Sequence, residues 1–236
     1  MKILITGISS GLGYGLAQAY LERGDFVFGL SRRAPASALL EYSSFKFTSL
    51  DLSDFDAVSV GVPTLIAGTE ELDLVILNAG ILGEIRDMRD TPLSELRQIM
   101  DVNLWSNKVL LDALNSTGTK IKQVVTISSG ASQSGNRGWS GYAISKAALN
   151  MLTQLYAAEN PETHYAAVAP GLIDTAMQDY ISTKPSVDQF PALQRLIDAR
   201  GTGAMPNPEG AAKILLETFP KLLSLPSGAY ADVRKL

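Results

Sequence analysis

Apolar positions along this chain gather into short runs, separated by stretches with helical spacing. Ile3-Leu4-Ile5 reads as a buried strand, followed by a helix through about Leu21 that Gly24 closes. Phe26-Val27-Phe28-Gly29-Leu30 reads as a second strand, and Phe45-Lys46-Phe47 as an alternating third that closes on Asp51-Leu52-Ser53-Asp54. Leu72-Asp73-Leu74-Val75-Ile76-Leu77 is a nearly continuous apolar run, the pattern of one strand covered on both faces. The spacing then predicts a helix from about Ser94 to Leu114, a strand at Val124-Val125-Thr126-Ile127 and a helix to about Ala158, stopped by Asn160-Pro161. A strand at Tyr165–Val168, a helix near Pro208–Thr218 and a strand at Ala229–Val233 complete the pattern. Such alternation predicts an α/β fold, a parallel sheet with helices on both faces. With no repeat or linker visible, residues 1–236 read as one domain.

Composition narrows the function. A chain of 236 residues with 46% hydrophobic content can fill the core of one such domain. Its net charge of −4 supplies no basic stripe, so nucleic acid is not an expected partner. There are no cysteines, hence no thiolate nucleophile and no Cys-based metal site, and no metal is expected. No apolar run approaches the ~18 residues of a membrane span. The first run breaks at Gly7, too soon for a signal peptide, so a soluble, cytoplasmic protein is expected.

Two local patterns carry chemistry. Thr6-Gly7-Ile8-Ser9-Ser10-Gly11-Leu12-Gly13 joins a strand to a helix start, where backbone amides bind anions and glycines let phosphates approach the main chain. Where the second strand ends, an acid would accept hydrogen bonds from a free adenosine ribose, whereas arginine suits a 2′-phosphate. This chain places Ser31-Arg32-Arg33 there, which favours NADP(H), with NAD(H) as the lesser partner. The second pattern is Tyr142 and Lys146, four apart and so on one helix face. An ammonium one turn away stabilises a phenolate, and moving a phenol from roughly 10 to roughly 7 needs about 4 kcal/mol. The lone histidine, His164, begins a strand and reads as structural.

Taken in order, these motifs resemble the short-chain dehydrogenase/reductase family, in its short-subunit branch. The likeness runs from Lys2 to the last strand. TGxxxGxG is Thr6 to Gly13, NAG is Asn78-Ala79-Gly80, and the helix asparagine is Asn103. YxxxK is Tyr142 and Lys146, with Ser129 thirteen residues before the tyrosine (142 − 129). Pro170-Gly171 is followed by Ile173 and Thr175, and Asp51-Leu52 matches the pair that contacts the adenine. The resemblance implies a doubly wound, three-layer Rossmann fold of about seven strands. It implies that the cofactor is held by Gly7, Ser9, Ser10, Gly11, Leu12, Gly13, Ser31, Arg32, Arg33, Asp51, Leu52, Asn78, Ala79, Gly80, Tyr142, Lys146, Pro170, Gly171, Ile173 and Thr175. It further implies that Tyr142 exchanges a proton with a carbonyl or alcohol oxygen and that Ser129 hydrogen-bonds that oxygen. Lys146 would lower the tyrosine pKa and bind the nicotinamide ribose, while Asn103 supports a water relay.

Residues 172–206 would then cover the substrate, with Ile81, Trp139, Met177 and Tyr180 as lining. Phe190, Leu193 and Leu196 suggest an apolar cover for an apolar or aromatic carbonyl compound; Arg195 and Arg200 would instead suit an anion. Leu104, Trp105, Leu149, Met151, Leu152 and Leu155 leave apolar positions on more than one side of two helices, which predicts a homodimer or homotetramer. An epimerase or dehydratase fits the glycine spacing and length poorly. A non-catalytic sensor would be expected to have lost part of Asn103, Ser129, Tyr142 and Lys146.

Overall fold

Seven parallel strands form the sheet in the computed structural model, which describes residues 1–183 and 186–236. Lys184 and Pro185, inside the expected covering segment, lie outside the described residues. In chain order the elements are β1 (Lys2–Thr6), α1 (Gly11–Glu22), β2 (Phe26–Ser31), α2 (Ser37–Leu40), β3 (Phe45–Ser49), α3 (Phe55–Leu65), β4 (Glu71–Leu72), β5 (Leu74–Leu77) and α4 (Leu93–Met100). There follow α5 (Ser106–Asn115), β6 (Lys120–Ile121), β7 (Gln123–Ile127), α6 (Ser140–Glu159), β8 (His164–Ala169), α7 (Ala176–Thr183), α8 (Gln194–Ala199), α9 (Pro208–Leu222) and β9 (Ala229–Asp232). The sheet order is β3-β2-β1-β5-β7-β8-β9, so strand order reverses between β1 and β5. Loops leaving neighbouring strand ends diverge at that reversal and open a crevice, the place where such sheets bind ligands.

Side-chain alternation along the strands builds two cores. Ile3 and Ile5 point to one face, where Leu16, Tyr20, Phe219 and Leu222 of α1 and α9 cover them. Leu4 points to the other, against Val58, Val62, Leu110 and Leu114 of α3 and α5. A third, smaller cluster stands apart: Leu82, Ile85, Ile181, Phe190, Leu193 and Leu196, with Trp139, Tyr142, Leu172, Met177 and Tyr180 packed on it.

The seven-stranded doubly wound fold agrees with the expectation, and four local details differ. The apolar run from Leu72 to Leu77 is not one strand. Asp73 turns its carboxylate to the Lys2 amide (2.8 Å) and the Lys122 ammonium (2.7 Å), and Glu71–Leu72 pairs instead with Lys120–Ile121. The expected helix from Ser94 to Leu114 is interrupted by a π turn at Asp101–Trp105. Ser106 Oγ donates to the Val102 carbonyl (2.7 Å) and Asn107 Nδ2 to that of Asn103 (2.8 Å), side-chain donors that compete with the helix ladder. Helix α3 was not anticipated, although Asp54 caps it by accepting from the Ala57 amide at 3.0 Å. Helix α9 extends beyond Thr218 through Pro220 to Leu222. Among the described residues no helix is long and apolar enough to cross a membrane.

Candidate active site

A cleft of about 510 Å³ opens at the carboxyl ends of β1, β5 and β7. The turn leaving β1 forms its floor. Gly7 (φ +76°) and Gly11 (φ +58°) take left-handed conformations that glycine adopts without strain. Gly13 does not line the cleft; its missing side chain lets α1 settle against Gly7, since a Cβ there would lie 2.5 Å from Asn78 Nδ2. Thr6 Oγ1 accepts from the amides of Asn78 and Ala79, each at 3.0 Å, tying this turn to Asn78-Ala79-Gly80. Ser10 stands at the N-cap of α1 without a side-chain cap, and no acid occupies the first turn. The helix start thus has no side-chain cap among the described residues, and Ser10, Gly11 and Leu12 line the cleft, an arrangement suited to an anion.

At the rim, Arg32 is two-thirds exposed and its Nη1 lies 3.9 Å from Asp51 Oδ2. The Asp51 carboxyl is held below the usual carboxylate range, first by the Ser53 amide and more weakly by Arg32. Ser31 differs from its neighbours: it is buried, and its hydroxyl donates to the Arg33 carbonyl at 2.7 Å. It therefore shapes the turn that carries the two arginines.

The opposite wall carries Ser129, Tyr142 and Lys146. Ser129 Oγ accepts from the Ala131 amide at 3.1 Å, so its O–H serves as a donor on the side of the Tyr142 phenol. Its loop is fastened to α6: Ser128 Oγ donates to Asn150 Oδ1 (2.6 Å), Asn150 Nδ2 to Ser132 Oγ (2.9 Å), and Ser132 Oγ to the Ser129 carbonyl (2.7 Å). Lys146 Nζ donates to the Ile127 carbonyl at 2.7 Å and stands 5.8 Å from the centre of the Tyr142 ring. Burial pushes the lysine down to about 8. Burial also raises the Tyr142 phenol, against the downward pull of the neighbouring Ser129 side chain. The same enclosure opposes the charged form of both groups. Asn103 is fully buried and lies outside the cleft lining. Its carboxamide makes two 2.8 Å bonds to the backbone of Ile81 and one of 3.0 Å to Ser145 Oγ, bracing α6 against the loop after β5.

The remaining wall is apolar. Ile81, Trp139 and Met177 line it, with Leu172, Ile181 and Leu196 beside them. Trp139 lies 5.9 Å from the Tyr142 ring, centre to centre. Tyr180 does not line the cleft; its hydroxyl accepts from the Ile85 amide at 2.9 Å. Phe190 and Leu193 are likewise turned into the third cluster. The Arg137 guanidinium grips Asp87 through two 2.6 Å bonds and lies over the Phe190 ring. Arg200 is spent on Asp174 and Asp179 and is not available to an anionic substrate. His164 sits at the start of β8, where Nε2 meets the Leu225 carbonyl at 3.0 Å.

Residues 1–186 match the short chain dehydrogenase family model. The chain belongs to the short-chain dehydrogenase/reductase family. Among relatives of this short-chain dehydrogenase, a benzil reductase ((S)-benzoin forming) from Bacillus cereus is 33% identical, over 93% of this chain and 96% of its own. The crystal structure of the KRED1-Pglu enzyme superimposes with a TM-score of 0.86 at 27% identity, covering 98% of this chain and 99% of its own. A Beutenbergia cavernae protein solved with bound NADP at low occupancy gives 0.81 at 25% identity, covering 98% and 94%. This short-chain dehydrogenase is accordingly an oxidoreductase acting on carbonyl and alcohol groups with a nicotinamide dinucleotide. Its uncapped helix start and close glycine turn fit that cofactor. Sequence reading missed Leu172, Gln178 and Ile181 of the cleft wall; the i, i+4 spacing from Met177 was the available signal for the last.

Proposed function

We propose that this enzyme reduces an apolar, preferably aromatic, ketone to a secondary alcohol with NADPH, Tyr142 acting as the proton donor. The observation that carries this reading is the placement of Ser129 and Tyr142 on one cleft wall, between the anion-binding turn and an apolar end walled by Trp139. The cofactor supplies the hydride, so the protein's part is placement and proton delivery. The Ser129 O–H donates to the substrate oxygen and fixes it beside the phenol. Tyr142, kept protonated by burial, gives its proton to that oxygen. Lys146 spends one donor on Ile127 and keeps two for the phenol oxygen and the nicotinamide ribose. The described residues between Leu172 and Pro206 cover the substrate within one dinucleotide-binding unit. The relative's named substrate, benzil, is an aromatic diketone, which is consistent with the Trp139 wall. The deciding experiment is a panel of aryl ketones and diketones assayed with NADPH and NADH by nicotinamide absorbance. No turnover across the panel defeats the reading.

Arg32 is the expected source of NADPH preference. A hydrogen bond to a charged group contributes about 1.5–3 kcal/mol, roughly a tenfold to hundredfold change in affinity. Arg32→Ala should weaken NADPH by that factor and leave NADH nearly unchanged. Equal losses for both cofactors, measured as kcat/KM, would place the guanidinium away from the 2′-phosphate.

Self-association follows from the outer surface. Leu104 and Leu149 are buried within the chain, which narrows the expected interface. Trp105, Ile144, Met151 and Leu155 remain about half exposed, and the last three form one stripe along α6. A dimer or tetramer of the 25.2 kDa chain is expected by light scattering. A monomer at micromolar concentration counts against it.

A further inference from the structure

The wall formed by the cover is apolar except at Thr175 and Gln178, and of the two only Gln178 holds a buried polar atom without a partner among the described residues. Gln178 lies in the first turn of α7, lines the cleft, and is only 8% exposed. Its Oε1 is shut away from water and has no hydrogen-bond partner among the described residues. Buried side-chain amides in folded proteins are nearly always paired, so an unpaired one at a cleft wall is a feature to explain. The backbone around it is fixed, since the Gln178 amide donates to the Thr175 carbonyl at 2.7 Å. The carboxamide is the free part: its terminal torsion is broad, and turning it sacrifices no bond of Oε1.

Its neighbours indicate which ligand it meets. Gln178 and Ile181 are three apart and share a face of α7, and Met177, Leu172 and Leu196 complete that wall. This is the apolar substrate end, remote in character from the uncapped helix start that suits phosphates. Ser129 and Tyr142 already serve the reacting oxygen in the reading above. A carboxamide offers both a donor, Nε2, and an acceptor, Oε1. It can hold a neighbouring ketone oxygen through the first, or a neighbouring hydroxyl through the second.

We propose that Gln178 recognises a second oxygen on the substrate, beside the carbonyl being reduced, so that 1,2-diketones and their hydroxy-ketone products are preferred over simple ketones. The proposal rests on the carbonyl-reductase reading and makes Gln178 a specificity-determining residue. Benzil and deoxybenzoin test it, because they differ by that one oxygen. Both are to be assayed with NADPH against wild type, Gln178→Leu and Gln178→Met, with NADPH affinity measured in parallel by fluorescence. Comparing variant with wild type for each compound cancels the diketone's greater intrinsic reactivity.

Loss of one hydrogen bond should lower kcat/KM for benzil by about tenfold and leave deoxybenzoin within about twofold. NADPH affinity should not change. An equal loss on both compounds, or no loss on either, overturns the proposal. A weakened NADPH affinity with discrimination intact assigns the carboxamide to the cofactor and also overturns it. Wild type that reduces other members of the aryl-ketone panel but not benzil overturns the proposal and leaves the carbonyl-reductase reading standing, whereas no turnover across the panel sinks both; wild type that reduces both compounds, with variants that discriminate as it does, sinks only the role of Gln178.

Discussion

Tyr142→Phe should abolish measurable turnover while leaving NADPH affinity within a few-fold. The substitution removes one oxygen and keeps the ring, so the packing against Trp139 survives. What is lost is the only group placed to give the substrate oxygen a proton in the proposed mechanism. Positioned proton donors contribute roughly 10²- to 10⁴-fold. The sign of the pH dependence follows from the burial that raises the phenol. Reduction uses the protonated form, which burial keeps populated at neutral pH. Oxidation uses the phenolate, so in the wild-type enzyme it should gain relative to reduction as pH rises. Substantial turnover by pure Tyr142→Phe, with a substrate that wild type converts, would remove the tyrosine from its assigned role.

Gly13→Ala should cost both stability and cofactor binding, more than any surface change. The new methyl would overlap the Gly7 carbonyl oxygen and press on Asn78 Nδ2. Neither can retreat: the Gly7 amide is bonded to the Leu30 carbonyl at 2.7 Å, and Asn78 Nδ2 to the Thr6 carbonyl at 2.9 Å. Helix α1 must move outward instead, drawing its first turn away from the cleft. Overpacking of this kind costs typically about 1–3 kcal/mol, and a chain of this size loses about 2–4 °C of Tm per kcal/mol. The upper part of that range is expected here because the obstacle is backbone. Gly135→Ala is the control, since a Cβ there meets nothing within 4 Å. A Gly13→Ala protein with wild-type Tm and NADPH affinity would refute the account of this turn.

The parts of the fold legible in sequence are those set by neighbours along the chain. Strand runs such as Val124–Ile127 and the helix carrying Tyr142 needed only periodicity. The glycine turn was legible because close backbone approach leaves few alternatives to glycine. Features decided by distant partners were not. Asp73 interrupts its apolar run because Lys2 and Lys122 reach it from elsewhere in the chain. The π turn depends on two hydroxyl and amide donors winning carbonyls from the ladder. Helix α3 was hidden by Gly61 and Pro63, poor helix residues inside it. Tyr180 looked like a lining residue by type, and only the position of the Ile85 amide shows it facing away from the cleft. The electrostatics were least legible: the spacing of a tyrosine and a lysine one turn apart does not reveal how far both are enclosed, and enclosure raises the phenol and lowers the ammonium.

The third apolar cluster has a consequence for how such a protein can change over generations. The two large cores hold the sheet, and the cover keeps its own small one. Substitutions more than ~10 Å apart without shared partners combine almost independently. Exchanges at Leu172, Met177, Ile181 or Leu196 would therefore reshape the proposed substrate wall at little expense to the sheet or to the glycine turn. One scaffold can in this way keep its coenzyme turn while its clientele drifts, and a laboratory library confined to these positions would explore substrate range with few unfolded members.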